Sequence, residues 1–218
     1  MDIPAQASVA VTLADLVAAL GHIPLDRIRY EPLPGTASED DVLRIEASEH
    51  RLCELIEGVL VEKPMGFRES LLAVALAQFL RSFVLPGNLG LVTGADGMIR
   101  LFPGLVRIPD VAFISWDNVP GNKVPEDPIP QLVPDLAVEV LSRTNTLSEM
   151  QRKREEYFAA GVRLVWMVDP DDRTVRVFRS PEDSTLYSEE ETLDGGDLLP
   201  SFSLPLRQLF AELDRCAD

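Results

Sequence analysis

Two acidic residues interrupt apolar, strand-like runs near the middle of the 218-residue chain. Glu139 lies inside the run LAVEVL, and Asp110 follows a proline and opens the run VAFI. A buried carboxylate without a partner is strongly unfavourable, so each needs a cation, a proton or good hydrogen-bond donors. One interpretation is a salt bridge with an arginine such as Arg107 or Arg143. The other is a site where neighbouring strands aim both carboxylates at one Mg²⁺, which prefers oxygen ligands.

A lysine is predicted to face the same two carboxylates. Lys153 lies three residues after Met150 and four before Tyr157, so the three side chains share one stripe of a helix, on the side facing the sheet. A lysine aimed at a carboxylate pair can offset its charge, orient water or stabilise a developing negative charge. The alternative is a lysine that extends along the helix surface and pairs with Glu149 or Glu156.

The elements that must position these residues alternate between helices and strands. Capping boxes predict a helix at Thr12–Leu20 and another that opens at Thr146 and ends at Gly161, and helical spacing predicts a largely buried helix at Phe67–Val84. Residues 31–42 are predicted to form an acidic loop. This order indicates one α/β domain with a mixed sheet. The predicted strands are two short ones within 51–62, then Leu89–Thr93, Met98–Phe102, Arg107–Ser115, Leu136–Leu141, Leu164–Val168 and Thr174–Arg179.

The net charge of −16 bears directly on nucleic-acid binding. Binding to phosphates depends on lysine and arginine, so a uniformly acidic protein is a poor candidate for it. However, residues 51–181 hold 17 acidic and 15 basic side chains, a net of −2, and the two ends supply the remaining −14. The acidic ends therefore leave room for a basic groove in the middle of the chain, although they predict weak, salt-sensitive binding.

Several classes of protein are excluded by simple counts. No run of 18 apolar residues predicts a membrane helix, and the N-terminus lacks the basic start of a secretory signal. The two cysteines, Cys53 and Cys216, are predicted to be reduced thiols in a cytoplasmic protein. With only two histidines, His22 and His50, a His-rich zinc site or a Ser-His-Asp triad is not expected. Hydrolytic chemistry here would depend on carboxylates, lysine or a metal.

These residues stand within a recognisable set of motifs. In order, the chain reads ELIEGVLVEK, RIPDVAFI, PDLAVEVLS, K-x-x-x-Y-x-x-x-G-V, LVWMVDP and LDGGDLLPSFSLPLRQLF. From about residue 50 to 210 this series resembles the Uma2 family, formerly DUF820. The resemblance implies the restriction-endonuclease-like fold of PD-(D/E)XK nucleases, an α/β fold with a mixed central β-sheet flanked by helices. It also implies a division into residues 1–50, a helix and acidic loop packed on the core, and 51–218, the restriction-endonuclease-like domain.

The resemblance carries roles onto individual positions. Asp110 supplies the "PD" aspartate and Glu139 the "(D/E)" residue, and both would hold Mg²⁺ or Mn²⁺ together with the backbone carbonyl of Val140. The lysine of the parent motif would fall at position 141, which is Leu141. The family pattern implies that this lysine has moved to the following helix, as Lys153.

Two further acids are candidates for the same site. Glu54 corresponds to the family's recurrent Glu-Leu-Ile and is expected among the catalytic residues; the alternative is a charge at a strand edge. Glu69, at the start of the helix from residue 67, is a weaker candidate for a third metal-site acid, because many members carry a histidine there.

The resemblance implies metal-assisted hydrolysis of phosphodiester bonds in DNA, by an enzyme that can act as a homodimer. Two other hypotheses stay open: a non-catalytic binding or regulatory protein on a nuclease fold, and a hydrolase of small phosphoesters with a closed pocket. The nuclease and the binding protein are expected to differ in surface charge. A nuclease should have a basic collar around Asp110, whereas a binding or regulatory protein should have a uniformly acidic surface. The collar would comprise Arg68, Arg100, Arg107, Arg143, Arg152 and Arg154.

Overall fold

The structure, a computed structural model, describes residues 12–64 and 66–216. Its centre is a six-stranded sheet in the order β10-β9-β8-β7-β6-β3. The helices of the described residues are α1 (Leu13–Ala19), α2 (Glu39–Glu49), α3 (Phe67–Val84), α4 (Leu147–Ala160) and α5 (Leu206–Phe210). The strands are β1 (Cys53–Ile56), β2 (Val59–Glu62), β3 (Gly90–Thr93), β4 (Ile99–Phe102), β5 (Leu105–Arg107), β6 (Val111–Ser115), β7 (Leu136–Val140), β8 (Leu164–Asp169), β9 (Thr174–Phe178), β10 (Ser184–Ser188), β11 (Thr192–Gly195) and β12 (Leu199–Pro205).

The six-stranded sheet is mixed, as the sequence predicts. Strands β7 and β8 run parallel, with Glu139 opposite Met167, because α4 crosses over between them. The other neighbours in this sheet are antiparallel. A second sheet has the order β2-β1-β5-β4, and β11 and β12 form a separate antiparallel pair. The α/β prediction is therefore confirmed.

The two faces of the central sheet are covered by different elements. On β7, Leu136, Val138 and Val140 pack into one apolar cluster with α3, β12 and α5. Ala137 points to the opposite face, where Met150 and Tyr157 of α4 pack. Because strand side chains alternate, Glu139 lies on the same face as Ala137. The sheet therefore presents Glu139 to the helix that carries Lys153.

Helix α3 supplies much of the core beneath the sheet. Leu76 is fully buried within it, whereas Val74 on the same helix is 65% exposed. Replacing Leu76 by alanine is expected to lower the free energy of unfolding by about 2–5 kcal/mol, because the neighbours cannot fill the cavity. Val74→Ala is the matched control and should change stability by less than about 0.5 kcal/mol. Urea denaturation of both variants measures the difference, and equal losses would contradict this description of the core.

Two predictions about local structure are wrong. Part of the expected acidic loop at 31–42 is helical, because Ser38 and Asp41 form a capping box at the start of α2. The predicted strand Arg107–Ser115 is two strands, β5 and β6, which belong to different sheets. The chain bends at Ile108–Asp110, where a proline cannot donate to a strand ladder. This bend carries Asp110 into the space between the sheets.

Other predictions are confirmed. The capping boxes at Thr12 and Thr146 are present, and Gly161 ends α4 with a φ of 106°. The helix predicted at Phe67–Val84 is α3, with the same bounds and six buried residues. Over the part of the chain that the structure describes, no helix is long and apolar enough to cross a membrane. The division of the chain at residue 50 stays a prediction.

Candidate active site

Three carboxylates and a lysine from four different elements meet between the two sheets. Glu54 comes from β1, Asp110 from the bend before β6, Glu139 from β7 and Lys153 from α4. Their exposed fractions are 1%, 6%, 4% and 3% respectively. Charged residues are almost never this buried unless they are paired. The arrangement therefore needs a full set of partners, and these partners define the site.

Lys153 bridges two of the carboxylates. Its Nζ lies 3.0 Å from Glu54 Oε1 and 3.2 Å from Glu139 Oε2. The Tyr157 hydroxyl, one turn further along α4, donates to Glu139 Oε1 over 2.6 Å. The predicted stripe on α4 thus faces the sheet. The alternative pairing of Lys153 with Glu149 or Glu156 is not what the structure shows.

Asp110 is held by a second lysine. Lys63, which follows β2, places its Nζ 2.8 Å from Asp110 Oδ1, and the lysine side chain is only 4% exposed. The other carboxylate oxygen, Oδ2, accepts a hydrogen bond of 2.7 Å from the backbone N–H of Val140. The same ammonium donates to the carbonyls of Ile108 and Ala95, over 2.6 and 3.1 Å. Neither Arg107 nor Arg143 pairs with Asp110.

A buried arginine completes the cluster. Arg107, at the end of β5, donates from Nη1 to Glu54 Oε2 over 2.7 Å and from Nε to Glu156 Oε2 over 2.8 Å. Glu54 also accepts a hydrogen bond from the backbone N–H of Ile108. Arg152 donates a hydrogen bond of 2.7 Å from Nε to the other carboxylate oxygen of Glu156, Oε1. Arg107 thus links the carboxylates of the site to the surface of α4.

Burial and neighbouring charges set the protonation of the carboxylates. Burial raises the pKa of Glu139, and repulsion from Asp110 and Glu54 raises it further against the opposing effect of Lys153. Burial also favours the protonated form of Glu54, but Lys153 and Arg107 outweigh it and lower the pKa of Glu54 to about 2. One carboxylate is therefore firmly ionised, whereas the other holds its proton to a higher pH than an ordinary glutamate.

The same charges act on the groups of α4. Burial favours the neutral form of Lys153, but Glu139 and Glu54 outweigh it and raise the pKa of this lysine above its ordinary value. Burial and the charge of Glu139 raise the pKa of Tyr157 well above that of a free phenol. Near neutral pH the site therefore presents a charged ammonium and a neutral hydroxyl, both of them donors.

The lowered pKa of Glu54 predicts how stability depends on acid. A group ionised more readily in the folded state stabilises it above the unfolded pKa, here 4.5, and this stabilisation is lost as the pH falls toward about 2. The shift corresponds to about 3 kcal/mol. Glu54→Gln should be less stable near pH 7, because Arg107 and Lys153 lose a partner, yet its stability should decline less between pH 4.5 and 2. Denaturant unfolding across this range measures both, with the exposed Glu126→Gln as control. Parallel declines in wild type and Glu54→Gln would contradict the prediction.

The donor atoms at the cluster suit a hard divalent cation. Asp110 and Glu139 offer carboxylate oxygens, and Val140 offers a backbone carbonyl. The charge of Asp110 raises the pKa of Glu139, so the two carboxylates repel each other across the site. Within residues 12–64 and 66–216, however, no group of three or more histidine, cysteine or acidic side chains is arranged for a metal ion. An ion at this site would therefore depend on two carboxylates, those of Asp110 and Glu139, and on the carbonyl of Val140, and Lys63 already pairs with Asp110.

A cleft of about 860 Å³ adjoins the cluster at the carboxyl ends of β7 and β8. Pro64, next to Lys63, and Leu141, next to Val140, lie in its wall, and Met150 of α4 contributes to it. The cleft is thus lined by chain neighbours of the cluster and not by its charged side chains. Glu69 also lines it, but no hydrogen bond or ion pair among the described residues joins Glu69 to the cluster.

The basic collar is not present as a set of free charges. Four of its six arginines pair with acids outside the cluster: Arg100 with Glu39, Arg152 with Glu57, and both Arg68 and Arg143 with Asp171. The other two are Arg107, inside the cluster, and Arg154, whose guanidinium lies 4.6 Å from the ring centre of Phe178. The positive charge available around the cleft is therefore small.

The structure brings together most of the residues singled out from the sequence. Glu54, Asp110, Glu139 and Lys153 meet, and Val140 touches Asp110 through its N–H, whereas Glu69 stays at the cleft wall. Their catalytic and metal-binding roles stay predictions. The sequence analysis missed Lys63, although a lysine directly after a buried strand is a signal that could have drawn attention to it. It also missed the ion pair between Arg107 and Glu156.

Comparisons with known proteins place the chain in a family. A family model described as "Uma2: Putative restriction endonuclease" matches residues 39–209. The chain belongs to the Uma2 family. The Uma2 match includes every residue of the charged cluster, from Glu54 to Tyr157. No curated protein matches the chain.

A solved structure supports the fold of this Uma2 protein. It is described as the crystal structure of "a putative nuclease belonging to DUF820" from Anabaena variabilis ATCC 29413. The two chains are 21% identical, with a TM-score of 0.66 over 74% of this chain and 91% of that one. The restriction-endonuclease-like fold implied by the motifs is thereby confirmed.

Proposed function

We propose that this Uma2 protein is a metal-dependent endonuclease that hydrolyses phosphodiester bonds in DNA. One observation carries the proposal: Lys153, supplied by a helix, is buried between Glu54 and Glu139, in the cluster that also contains Asp110. A lysine and two strand carboxylates thus converge although the chain lacks the lysine at position 141. Such a cluster of perturbed, mutually interacting ionisable groups beside a cleft is typical of active sites.

The chain's own residues take distinct roles in this proposal. Asp110, Glu139 and the carbonyl of Val140 would hold Mg²⁺ or Mn²⁺, and a bound ion would supply polarisation of the scissile phosphate and a lowered pKa for a water. Lys153 donates hydrogen bonds to the attacking water or to the phosphate oxygens as negative charge develops on them. Tyr157 fixes the orientation of Glu139. Glu54 keeps Lys153 protonated and in place.

The test is a metal titration with three substrates. Purified protein with Mn²⁺ or Mg²⁺ is incubated at low salt with double-stranded, single-stranded and hairpin DNA. The proposal predicts cleavage that requires the metal and stops when EDTA is added. Cleavage that persists in EDTA contradicts the assigned chemistry, and absence of cleavage with either ion on all three substrates contradicts the proposed function.

A second candidate is favoured by the paired arginines. If the charge of −16 leaves too little free positive charge to hold DNA in place for cleavage, the protein is a binding or regulatory module on a nuclease fold. Anisotropy titrations with labelled DNA at several salt concentrations separate the two. Each phosphate contact contributes about −0.9 to the slope of log K against log salt. Binding without metal-dependent cleavage favours the module.

A cytoplasmic homodimer belongs to the same proposal, because cutting both strands of a duplex calls for two active sites. Light scattering of the purified protein, with and without DNA, tests this assembly. A protein mass of 24.1 kDa under both conditions, after the mass of any bound DNA is subtracted, would indicate a monomer that nicks one strand at a time.

A further inference from the structure

Lys63 sits in a cage of oxygen atoms. Its Nζ contacts Asp110 Oδ1 at 2.8 Å and the carbonyl oxygens of Ile108 and Ala95 at 2.6 and 3.1 Å. An ammonium group has three protons to donate, so these acceptors use its full capacity. One carboxylate and two carbonyls are also the kind of donors that a hard metal cation takes. The ammonium of Lys63 thus stands where a cation is needed beside Asp110.

The buried cluster is already balanced in charge. Glu54, Asp110 and Glu139 carry three negative charges when ionised, and Lys63, Lys153 and Arg107 carry three positive ones; all six side chains are at most 9% exposed. Glu156, at the edge of the cluster, adds one negative charge that Arg152 matches. A divalent cation added to this set would leave two positive charges uncompensated in a buried site, which is strongly unfavourable. Binding of the ion is therefore easier if a resident cation leaves.

Lys63 is the resident cation best placed to leave. Lys153 and Arg107 each lie between two carboxylates, whereas Lys63 touches one carboxylate and two neutral carbonyls. The next residue, Pro64, lies in the wall of the cleft, so the backbone that carries Lys63 runs beside the cleft.

We propose that Lys63 is an internal competitor for the metal position: a divalent cation reaches Asp110 by displacing the ammonium of Lys63. This inference rests on the proposed function for the identity of the ion, but it concerns binding and not catalysis. It gives Lys63 a specific role, because the lysine holds Asp110 in place without metal and weakens metal binding. The expected consequence is a protein whose affinity for divalent ions is lower than its carboxylates alone would give.

The test measures Mn²⁺ binding to Lys63→Met without DNA. Methionine keeps the length and apolar stem of lysine but removes the charge. The electron paramagnetic resonance signal of free Mn²⁺ gives the dissociation constant, which should fall by about tenfold or more relative to wild type, since Asp110 loses its tethered cation. Lys123→Met is the matched control, because Lys123 is exposed and pairs with Glu126; its dissociation constant should equal that of wild type.

Two more variants show whether the higher Mn²⁺ affinity of Lys63→Met comes from loss of the lysine charge. Lys63→Arg keeps a cation and should not bind Mn²⁺ more tightly than wild type. The double variant Lys63→Met, Asp110→Asn removes the carboxylate as well and should lose the gain. Because Lys63→Met leaves Asp110 buried without its cation, it should melt at a lower temperature than wild type and recover more on addition of Mn²⁺.

The outcomes are decisive in either direction. Equal or weaker Mn²⁺ binding by Lys63→Met, no measurable binding by any variant, or a gain that survives in the double variant overturns the proposal. A failure of DNA cleavage alone contradicts the proposed function and leaves the displacement of Lys63 supported by the binding data.

Discussion

Lys153→Met is expected to lower the rate of metal-dependent DNA cleavage by at least about 100-fold. Methionine fills the same space but cannot donate a proton or carry charge, so the developing negative charge loses its nearest cation. Substrate binding should change little, because Lys153 is buried, whereas the proposed function assigns DNA contacts to the exposed residues of the cleft. The initial rate of nicking of a supercoiled plasmid, compared with binding of the same DNA, measures both effects.

The fold must survive this substitution for the result to be informative. Removing one partner of a buried ion pair costs about 3–5 kcal/mol, but Glu139, whose pKa is already raised, can take up a proton and reduce that cost. Circular dichroism and denaturant unfolding check the folded state, and Lys123→Met is the control that should cleave like wild type. A folded Lys153→Met variant with unchanged cleavage would show that this lysine has no catalytic role.

Arg107→Met should cause one of the largest losses of stability of any single charge substitution, about 3–5 kcal/mol in the free energy of unfolding. The side chain is 2% exposed and pairs with both Glu54 and Glu156, so its loss leaves buried carboxylates without their cation. The double variant Arg107→Met, Glu54→Gln should be more stable than the sum of the two single effects predicts. In the double variant neither partner of the buried pair is left as an unpaired charge.

The matched comparison uses an exposed arginine. Arg68 pairs with Asp171 with both side chains about half exposed, and Arg68→Met should cost no more than about 1 kcal/mol. Chemical denaturation of all four variants gives the coupling energy directly. A loss at Arg107 as small as that at Arg68, or strictly additive effects with Glu54→Gln, would contradict the description of the cluster as a mutually dependent network.

Local patterns were enough to predict much of the scaffold. The capping boxes at Thr12 and Thr146 involve residues three apart, and the alternation in LAVEVL is likewise short-range, so both can be read from a few neighbouring residues. The stripe that aims Lys153 at the sheet follows from helix geometry alone. These features placed Glu139 and Lys153 on facing surfaces without any knowledge of the rest of the fold.

The features that were missed depend on contacts between distant parts of the chain. Lys63 meets Asp110 only because β1 pairs with both β2 and β5 and the chain bends after β5, and nothing around Lys63 in the sequence indicates which carboxylate it meets. The same bend divides the predicted strand at 107–115. The sequence likewise did not predict which acidic residue each arginine would pair with. Arg107 pairs with Glu54 and Glu156, which are 53 and 49 residues away along the chain.

The ion pairs near the cleft matter more for DNA binding than the net charge of the whole chain does. Several arginines near the cleft are occupied by neighbouring acids, so weak and salt-sensitive binding to DNA is expected even though residues 51–181 carry a net of only −2. Cleavage assays are therefore best made at low salt, where phosphate contacts contribute most.

The most direct test of the central claim is the nicking of supercoiled plasmid by the wild-type protein and by Asp110→Asn, at low salt with Mn²⁺. The account predicts that wild type converts supercoiled DNA to the open circular form only with the metal, and that Asp110→Asn, with its fold checked by circular dichroism, is at least about 100-fold slower. Equal rates for the two proteins, or no nicking by wild type at any Mn²⁺ concentration, would contradict it.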